Sequence, residues 1–311
     1  MACELKNKKI WIAGHNGMLG SALLRKLEKT DNEILTVDRE ELDLRDQVAT
    51  QQWVDKNKPD LVFLAAAKVG GILANQEQPV SFLYDNLMIG ANVIHAAAET
   101  GVEKLLFLGT SCIYPKDSTL PIKESALLTG ALEPTNQWYA IAKIAGTKLC
   151  QAYRQQEDLN FISAMPTNLY GPNDNFDLQT SHVLPGLMHK IHLAKKNQED
   201  KVSLWGSGKP KREFMHVDDC ADALIYVMKH YEETEPINIG TGEELSILEL
   251  AERLASVIGW EGEFELDSSK PDGTLRKFLD SSKLKKLGWE DSIKLEEGLK
   301  STYDWFLAKE S

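Results

Sequence analysis

Apolar and polar positions divide the first half of this chain into a regular alternation. KKIWIAG is a short apolar run closed by glycine, and SALLRKLEKT after it repeats its apolar residues at helical spacing. The rhythm continues through a strand in NEILTVDRE, a helix around ATQQWVDKN, a strand in DLVFLAAAK, a helix around NLMIGANVIHAAAET and a strand in KLLFLGTSC. Strands that are apolar throughout, rather than at every second position, are buried on both faces. Alternating with helices, they predict a parallel sheet covered on both sides. The second half loses that rhythm. REFMHVDDCADALIYVMKH predicts a strand and then a helix, ILELAERLASVIG a helix, and KLEEGLKSTYDWFLAK an amphipathic C-terminal helix.

Between the first strand and the first helix lies a GxxGxxG, made of Gly14, His15, Asn16, Gly17, Met18, Leu19 and Gly20. Glycines there permit a tight turn, close backbone approach to a pyrophosphate and close helix–strand packing, and the helix N-terminus then faces the phosphates. A glycine triplet alone is weak, but this one sits after a strand and before a helix, as the motif requires. The expected fold class is therefore α/β, with a Rossmann-type doubly wound parallel sheet in the first half.

Composition narrows the function. At 311 residues there is room for one large or two ordinary domains. With 42% hydrophobic and 26% charged residues, the chain reads as an ordinary soluble protein. A net charge of -12 argues against a nucleic-acid or anionic-membrane surface. No apolar run approaches the ~20 residues needed to span a bilayer. The start, MACELKNKKIWIAG, lacks the apolar core and cleavage site of a signal peptide. The four cysteines, Cys3, Cys112, Cys150 and Cys220, have no CxxC or metal-like spacing, so reduced thiols and a cytoplasmic location are expected.

Candidate chemistry begins in NQWYAIAKIAGTKLC, where Tyr139 and Lys143 are four positions apart and share one helix face. Taken alone, such a pair more often lies on a solvated helix surface. Reducing a ketone, however, needs a proton donor for the nascent alkoxide. A tyrosine with an ordinary pKa near ~10 yields its proton reluctantly. A cation one turn away favours phenolate and lowers that value. Thr110, at the carboxyl end of KLLFLG, offers a hydroxyl where doubly wound sheets place ligands.

The GxxGxxG, AAAK, GTSC and YxxxK, in that order, resemble the extended short-chain dehydrogenase/reductase family. HNGMLG, AAAKVGGI, LGTSCIYP, EPTNQWYAIAKIAG, MPTNLYGPNDNF, SHVLP, WGSGKPKREFMHVDD and SKPDGT carry the likeness along essentially the whole chain. They are similar to its epimerase-reductases of GDP-linked 4-keto-6-deoxy sugars. That resemblance implies Thr110, Tyr139 and Lys143 as the reducing set, Lys143 also binding the nicotinamide ribose. It implies Cys112 and His182 as an acid–base pair for epimerisation at C3 and C5. A C4 ketone acidifies both neighbouring C–H bonds, and a thiol and an imidazole suit the transfer. His216, in REFMHVDD, reads as structural.

For the cofactor, the resemblance implies NADP, held by the glycine loop together with Leu108, Gly109, Lys143, Pro166, Thr167, Asn168, Leu169 and His182. Asp38-Arg39, at the end of the second strand, pull in opposite directions. An acid there usually accepts from the 2′-hydroxyl of NAD, whereas arginine pairs with the 2′-phosphate of NADP. Members using NADPH carry arginine at the place of Arg39 but usually a neutral residue at that of Asp38. Some also carry arginine at the place of Asn16. NAD is therefore the alternative cofactor. For the GDP-linked keto sugar, the resemblance implies Lys190, Trp205, Arg212 and Asp272. It further implies a cofactor domain over residues 1–172, into which later segments recross, and a smaller C-terminal α/β domain, mainly substrate-binding, over 173–311. A homodimer through the helices around 86–100 and 139–155 is also implied. The alternatives are a GDP-keto-sugar 4-reductase without epimerisation, a nucleotide-sugar epimerase that retains NAD, and a non-catalytic dinucleotide sensor.

Overall fold

A computed structural model describes residues 4–269, 272 and 274–310. Cys3, and Lys270, Pro271 and Gly273 of the SKPDGT motif, lie outside the described residues. The first half runs β1 (Lys9–Ala13), α1 (Met18–Leu27), β2 (Glu33–Leu35), α2 (Gln47–Asn57), β3 (Leu61–Leu64), α3 (Ile72–Glu77), α4 (Pro79–Glu99), β4 (Lys104–Leu108), α5 (Gln137–Glu157) and β5 (Asn160–Pro166). There follow β6 (Asn168–Tyr170), α6 (Val183–Asn197), β7 (Lys201–Trp205), β8 (Lys211–His216), α7 (Val217–His230) and β9 (Ile237–Ile239). The chain ends with β10 (Glu244–Ser246), α8 (Ile247–Ile258), β11 (Glu263–Asp267), β12 (Arg276–Lys277), α9 (Ser282–Leu287) and α10 (Leu295–Glu310).

Six parallel strands form the main sheet in the order β2-β1-β3-β4-β5-β9. Alternate residues of each strand serve opposite faces. Ile10, Ile12, Phe63, Leu106 and Ile162 pack with Leu23 and Leu27 of α1 and with Leu224, Val227 and Met228 of α7. Trp11, Val62, Leu64, Leu105 and Phe107 pack instead with Val54 of α2, Val93 and Ala97 of α4, and Cys150 of α5. Both faces are covered, as the apolar runs require, and the expected Rossmann-type α/β class holds. β2 is shorter than its apolar run. The carbonyl of Asp38 accepts from the Glu41 and Leu42 amides at 3.1 and 2.9 Å, which turns the chain away from the sheet.

A second core gathers Leu187, Met188 and Ile191 of α6, Leu250 and Leu254 of α8, and Leu299 and Phe306 of α10. Beside it β8 pairs with β6 and β12 in parallel and with β10 antiparallel, while β7 pairs with β11. β8 runs directly into α7, so the chain passes from the small sheet to the large one between His216 and Val217, and β9 then joins the large sheet. Glu213 of β8 is fully buried and accepts from the amides of Gly242 and Leu279, while its carbonyl accepts from Thr167 and Asn168. Burial raises its pKa against those hydrogen bonds, and the carboxyl ties loops of both sheets together. Among the described residues, no helix is long and apolar enough to cross a membrane, and no cluster of metal-ligating side chains occurs.

Candidate active site

Helix α5 lies close against β4 because Gly146 has no side chain; a Cβ there would collide with the Phe107 ring. This approach carries Lys143 under the end of β4. Its Nζ donates to the Leu108 carbonyl at 2.7 Å and stands 4.7 Å from the Phe107 ring centroid and 5.8 Å from that of Tyr139. Lys143 is 3% exposed, and burial pulls its pKa down to about 7. Tyr139 is half-buried, with its ring edge-on to Phe82 at 6.4 Å. The spacing suggested that the lysine would lower the phenol. Burial instead raises it well above its usual value, with a smaller push from Cys112. The reason is that desolvation disfavours both charges, phenolate and ammonium alike. The geometry therefore holds a phenol that keeps its proton beside an amine that titrates near neutrality.

At the end of β4 the chain turns through Ser111–Ile113, where Thr110 Oγ1 accepts from the Cys112 amide at 3.2 Å. Its hydroxyl proton is left to donate elsewhere. Half-buried Cys112 accepts at Sγ from Asn136 Nδ2 at 3.3 Å. Asn136 is a residue the sequence did not single out, although it lies in the quoted EPTNQWYAIAKIAG. An asparagine just before a helix reads as an N-cap. Here it occupies that position without capping: its amide faces the thiol, and its Oδ1 is buried without a hydrogen-bond partner.

His182 opens α6, also without capping it. The segment before it closes against the AAAKVGG loop, where the Gly71 amide donates to the Thr180 carbonyl at 3.0 Å. A Cβ on Gly71 would come within 2.6 Å of the Ser181 carbonyl, and one on Gly70 would meet the Phe82 ring that flanks Tyr139. Solvent reaches His182, yet the protein crowds it enough for desolvation to lower its imidazole below the ordinary value.

The residues expected at the nucleotide sugar are placed more openly. Lys190 Nζ stands 5.1 Å over the Trp205 ring, which is 54% exposed, and partial burial lowers the lysine. Arg212 Nη1 donates to the Lys211 carbonyl at 2.8 Å. Burial lowers its pKa while Cys112 and Glu133 raise it, so the guanidinium lies within electrostatic reach of the thiol. Asp272 differs from the others: Oδ1 accepts from the Ser207 amide at 2.6 Å and Oδ2 from the Ser207 hydroxyl at 2.9 Å. Both oxygens hold the turn after β7. Glu133, which carried no expectation, accepts from Thr274 Oγ1 at 3.0 Å and links that loop to the start of α5.

The glycine loop fits a dinucleotide. Gly14 has φ +93°, and a Cβ on it would lie 2.6 Å from the Ala66 backbone; a Cβ on Gly20 would fall onto the Gly14 carbonyl. Packing explains those two. Gly17 has an ordinary extended backbone, φ -74°, and an added Cβ would approach only the Gly14 oxygen at 3.4 Å. Neither strain nor packing demands glycine there, which leaves close approach of a ligand to the N-terminus of α1. His15 and Asn16 turn their side chains to Asp38, whereas Arg39 is exposed. Met18 and Leu19 begin α1, and Leu108 and Gly109 end β4. A Cβ on Gly109 would strike Met165. Pro166 closes β5, and Thr167, Asn168 and Leu169 lead on into β6, the Thr167 amide donating to Ile239 O at 2.9 Å.

Residues 10–240 match the NAD dependent epimerase/dehydratase family, and the chain belongs to that family. It is 56% identical over 304 residues to a GDP-L-fucose synthase of Sinorhizobium fredii, covering 98% of this chain and 97% of that relative. It is 51% identical over 313 residues to the GDP-L-fucose synthase of Escherichia coli K12, covering 97% and 98%. Among solved structures, a GDP-L-fucose synthetase from Naegleria fowleri bound to NADP superposes with a TM-score of 0.91 at 31% identity. That match covers 100% of this chain and 97% of the other.

Proposed function

We propose that this protein catalyses the reaction of the GDP-L-fucose synthases: epimerisation of GDP-4-keto-6-deoxy-D-mannose at C3 and C5, then reduction at C4 with NADPH. The observation that carries the reading is the grouping of Thr110, Cys112, Tyr139 and Lys143 where β4 ends against α5. It is joined to more than half identity with relatives of that activity.

Cys112 and His182 exchange protons with C3 and C5 while the C4 ketone stabilises the enolate. The Thr110 hydroxyl and the Tyr139 phenol polarise that ketone, and each stays protonated at neutral pH. Bound NADPH supplies the hydride. Tyr139 then gives its proton to the oxygen at C4, and Lys143, titrating near 7, is placed to restore it. The glycine loop with Leu108, Gly109, Lys143 and Pro166–Leu169 holds the cofactor. Lys190, Trp205 and Arg212 receive the nucleotide sugar, the Trp205 ring with Lys190 over it and the Arg212 guanidinium suiting a nucleoside diphosphate. Asp272 serves that end by shaping the Ser207 turn.

Two further statements belong to this reading. The enzyme works in the cytoplasm, in keeping with its free Cys112, Cys150 and Cys220. It pairs with a second copy through α4 and α5, which pack side by side and expose Val80, Tyr84, Leu87, Trp138 and Ile141. The deciding experiment is incubation with GDP-4-keto-6-deoxymannose and NADPH in deuterium oxide. GDP-L-fucose carrying deuterium at C3 and C5 is expected. A C4-reduced product without deuterium there would remove Cys112 and His182 from their roles and leave a simple 4-reductase.

A further inference from the structure

Residues 274–280 form a strap across both halves of the site, with Asp272 just before it. Asp272 holds the Ser207 turn beside Trp205. The Lys211 amide donates to the Leu275 carbonyl at 2.8 Å, and β12 pairs in register with Lys211 and Arg212. These contacts fasten the strap to the nucleotide-sugar end. Its far end is tied to a loop of the large sheet. There the Ile122 amide donates to the Phe278 carbonyl, and the Asp280 amide to the Ile122 carbonyl, both at 2.8 Å. At its near end Glu133 Oε2 accepts from Thr274 Oγ1 at 3.0 Å, across 141 residues of sequence. The other carboxylate oxygen, Oε1, accepts from the Thr135 hydroxyl at 3.2 Å and amide at 3.4 Å, and the Glu133 carbonyl accepts from the Asn136 amide at 3.2 Å. That turn leads straight into α5, where Asn136 reaches Cys112 Sγ and Tyr139 follows within the first turn. Half-buried Glu133 is thus built into the catalytic end, with one oxygen gripping the strap.

A GDP-linked hexose has to span these two ends, its diphosphate at Arg212 and its C4 oxygen at Tyr139. The offset between the ends therefore sets where the ring lies over Cys112. A misplacement of about 1 Å can cost about a hundredfold in rate. A hydroxyl donating to an ionised carboxylate makes a stronger bond than a neutral pair, which suits a contact that has to fix that offset. Charge places the same groups together. Burial pulls Arg212 down, and Cys112 and Glu133 both oppose that fall, so thiol, cation and carboxylate share one neighbourhood. We propose that Glu133 is a positioning residue. Its bond to Thr274 fixes the nucleotide-sugar end against α5 and so places the sugar ring for Cys112 and Tyr139. Glu133 acts through Thr274 and the strap. The proposal rests on reading the site as one for a GDP-linked keto sugar.

The test is a double-mutant cycle in the full-length protein: Glu133→Ala, Thr274→Val and the two together, with Thr274→Ser as the variant that keeps the hydroxyl. Turnover of GDP-4-keto-6-deoxymannose with NADPH gives kcat. Quenching of tryptophan fluorescence by GDP alone reports the nucleotide end. Thr274→Val is expected to lower kcat about tenfold or more, the range of a hydrogen bond to a charged group. Glu133→Ala should lower it at least as much, and the double variant should be no slower than Glu133→Ala. Thr274→Ser should keep the kcat of the unaltered protein, and GDP affinity should be unchanged throughout. Any of three results overturns the proposal: full kcat in Thr274→Val, equal slowing by Thr274→Ser, or GDP binding that weakens as much as kcat falls. In each of these the unaltered protein still turns over the keto sugar, and the reading of the site stands. An unaltered protein that turns over no keto sugar removes that reading, and the proposal with it.

Discussion

Where β4 meets α5, polar groups are held by the main chain and by burial: Lys143 on the Leu108 carbonyl, Thr110 on the Cys112 amide, Cys112 under the Asn136 amide. Where the nucleotide sugar is expected, Lys190 and Trp205 lean on each other at the surface, and Asp272 is engaged by Ser207. The first region is set before any ligand arrives, which suits proton transfers that tolerate little misplacement. The second has long side chains that solvent reaches, which suits capture of a large anion. Desolvation marks the difference chemically. It moves Tyr139 up and Lys143 down to about 7, and it also lowers Lys190, which is only partly buried.

The largest expected effect breaks the first region alone. Tyr139→Phe should cut C4 reduction by about 10²- to 10⁴-fold, the usual worth of a positioned acid, while NADPH binding measured by fluorescence stays unchanged. Retained reduction would mean that another group protonates the alkoxide. Next, Arg212→Ala tests the second region. It should raise KM for the nucleotide sugar by about 10- to 100-fold, as loss of a charge-assisted contact does. A drop in kcat at constant KM would instead bind Arg212 to the catalytic end, through its reach to Cys112.

A smaller effect sharpens the border between the regions. Asn136→Ala removes the amide from the Cys112 thiol and should slow deuterium incorporation at C3 and C5 by about three- to tenfold, the worth of one neutral hydrogen bond. Reduction of a keto sugar that needs no epimerisation should be spared. Equal loss of both reactions would show that Asn136 supports α5 as a whole.

The smallest effect concerns Asp174, in the loop that leads to His182. Burial lifts its carboxyl from 3.8 to about 7, against one hydrogen bond from the Asn175 amide. A carboxyl raised on folding contributes stability that is present at low pH and lost as pH climbs from its ordinary range through about 7. Asp174→Asn should therefore gain in Tm relative to the unaltered protein as pH rises from 5 to 8 (on the order of a few degrees). A difference that is flat with pH would place the ionised carboxyl in solvent.

Much of the fold was legible because its signals are local. The apolar runs marked four of the six strands of the main sheet, β1 to β4, and the glycine spacing located the β1–α1 turn. Tyr139 and Lys143 could be paired because a helix fixes what lies four residues apart. Asn136 was not singled out, since an asparagine just before a helix carries no chemical signal of its own. Its contact with Cys112 spans 24 residues, and that of Asp272 with Ser207 spans 65; no periodicity encodes either. Nor does periodicity say that α7 leaves the small sheet to cover the large one.

By itself, then, the sequence determined the strand–helix alternation through β4, the glycine turn and the residues that share a helix face, because all of these depend on neighbours along the chain. Tertiary structure alone decided which acid keeps its proton, which carboxylate is engaged and which is open. It holds Asp272 on Ser207, leaves an oxygen of Asp38 exposed, and sets Lys143 near neutrality. Protonation and partner choice follow from desolvation and from contacts between distant segments, and those exist only once the chain has packed.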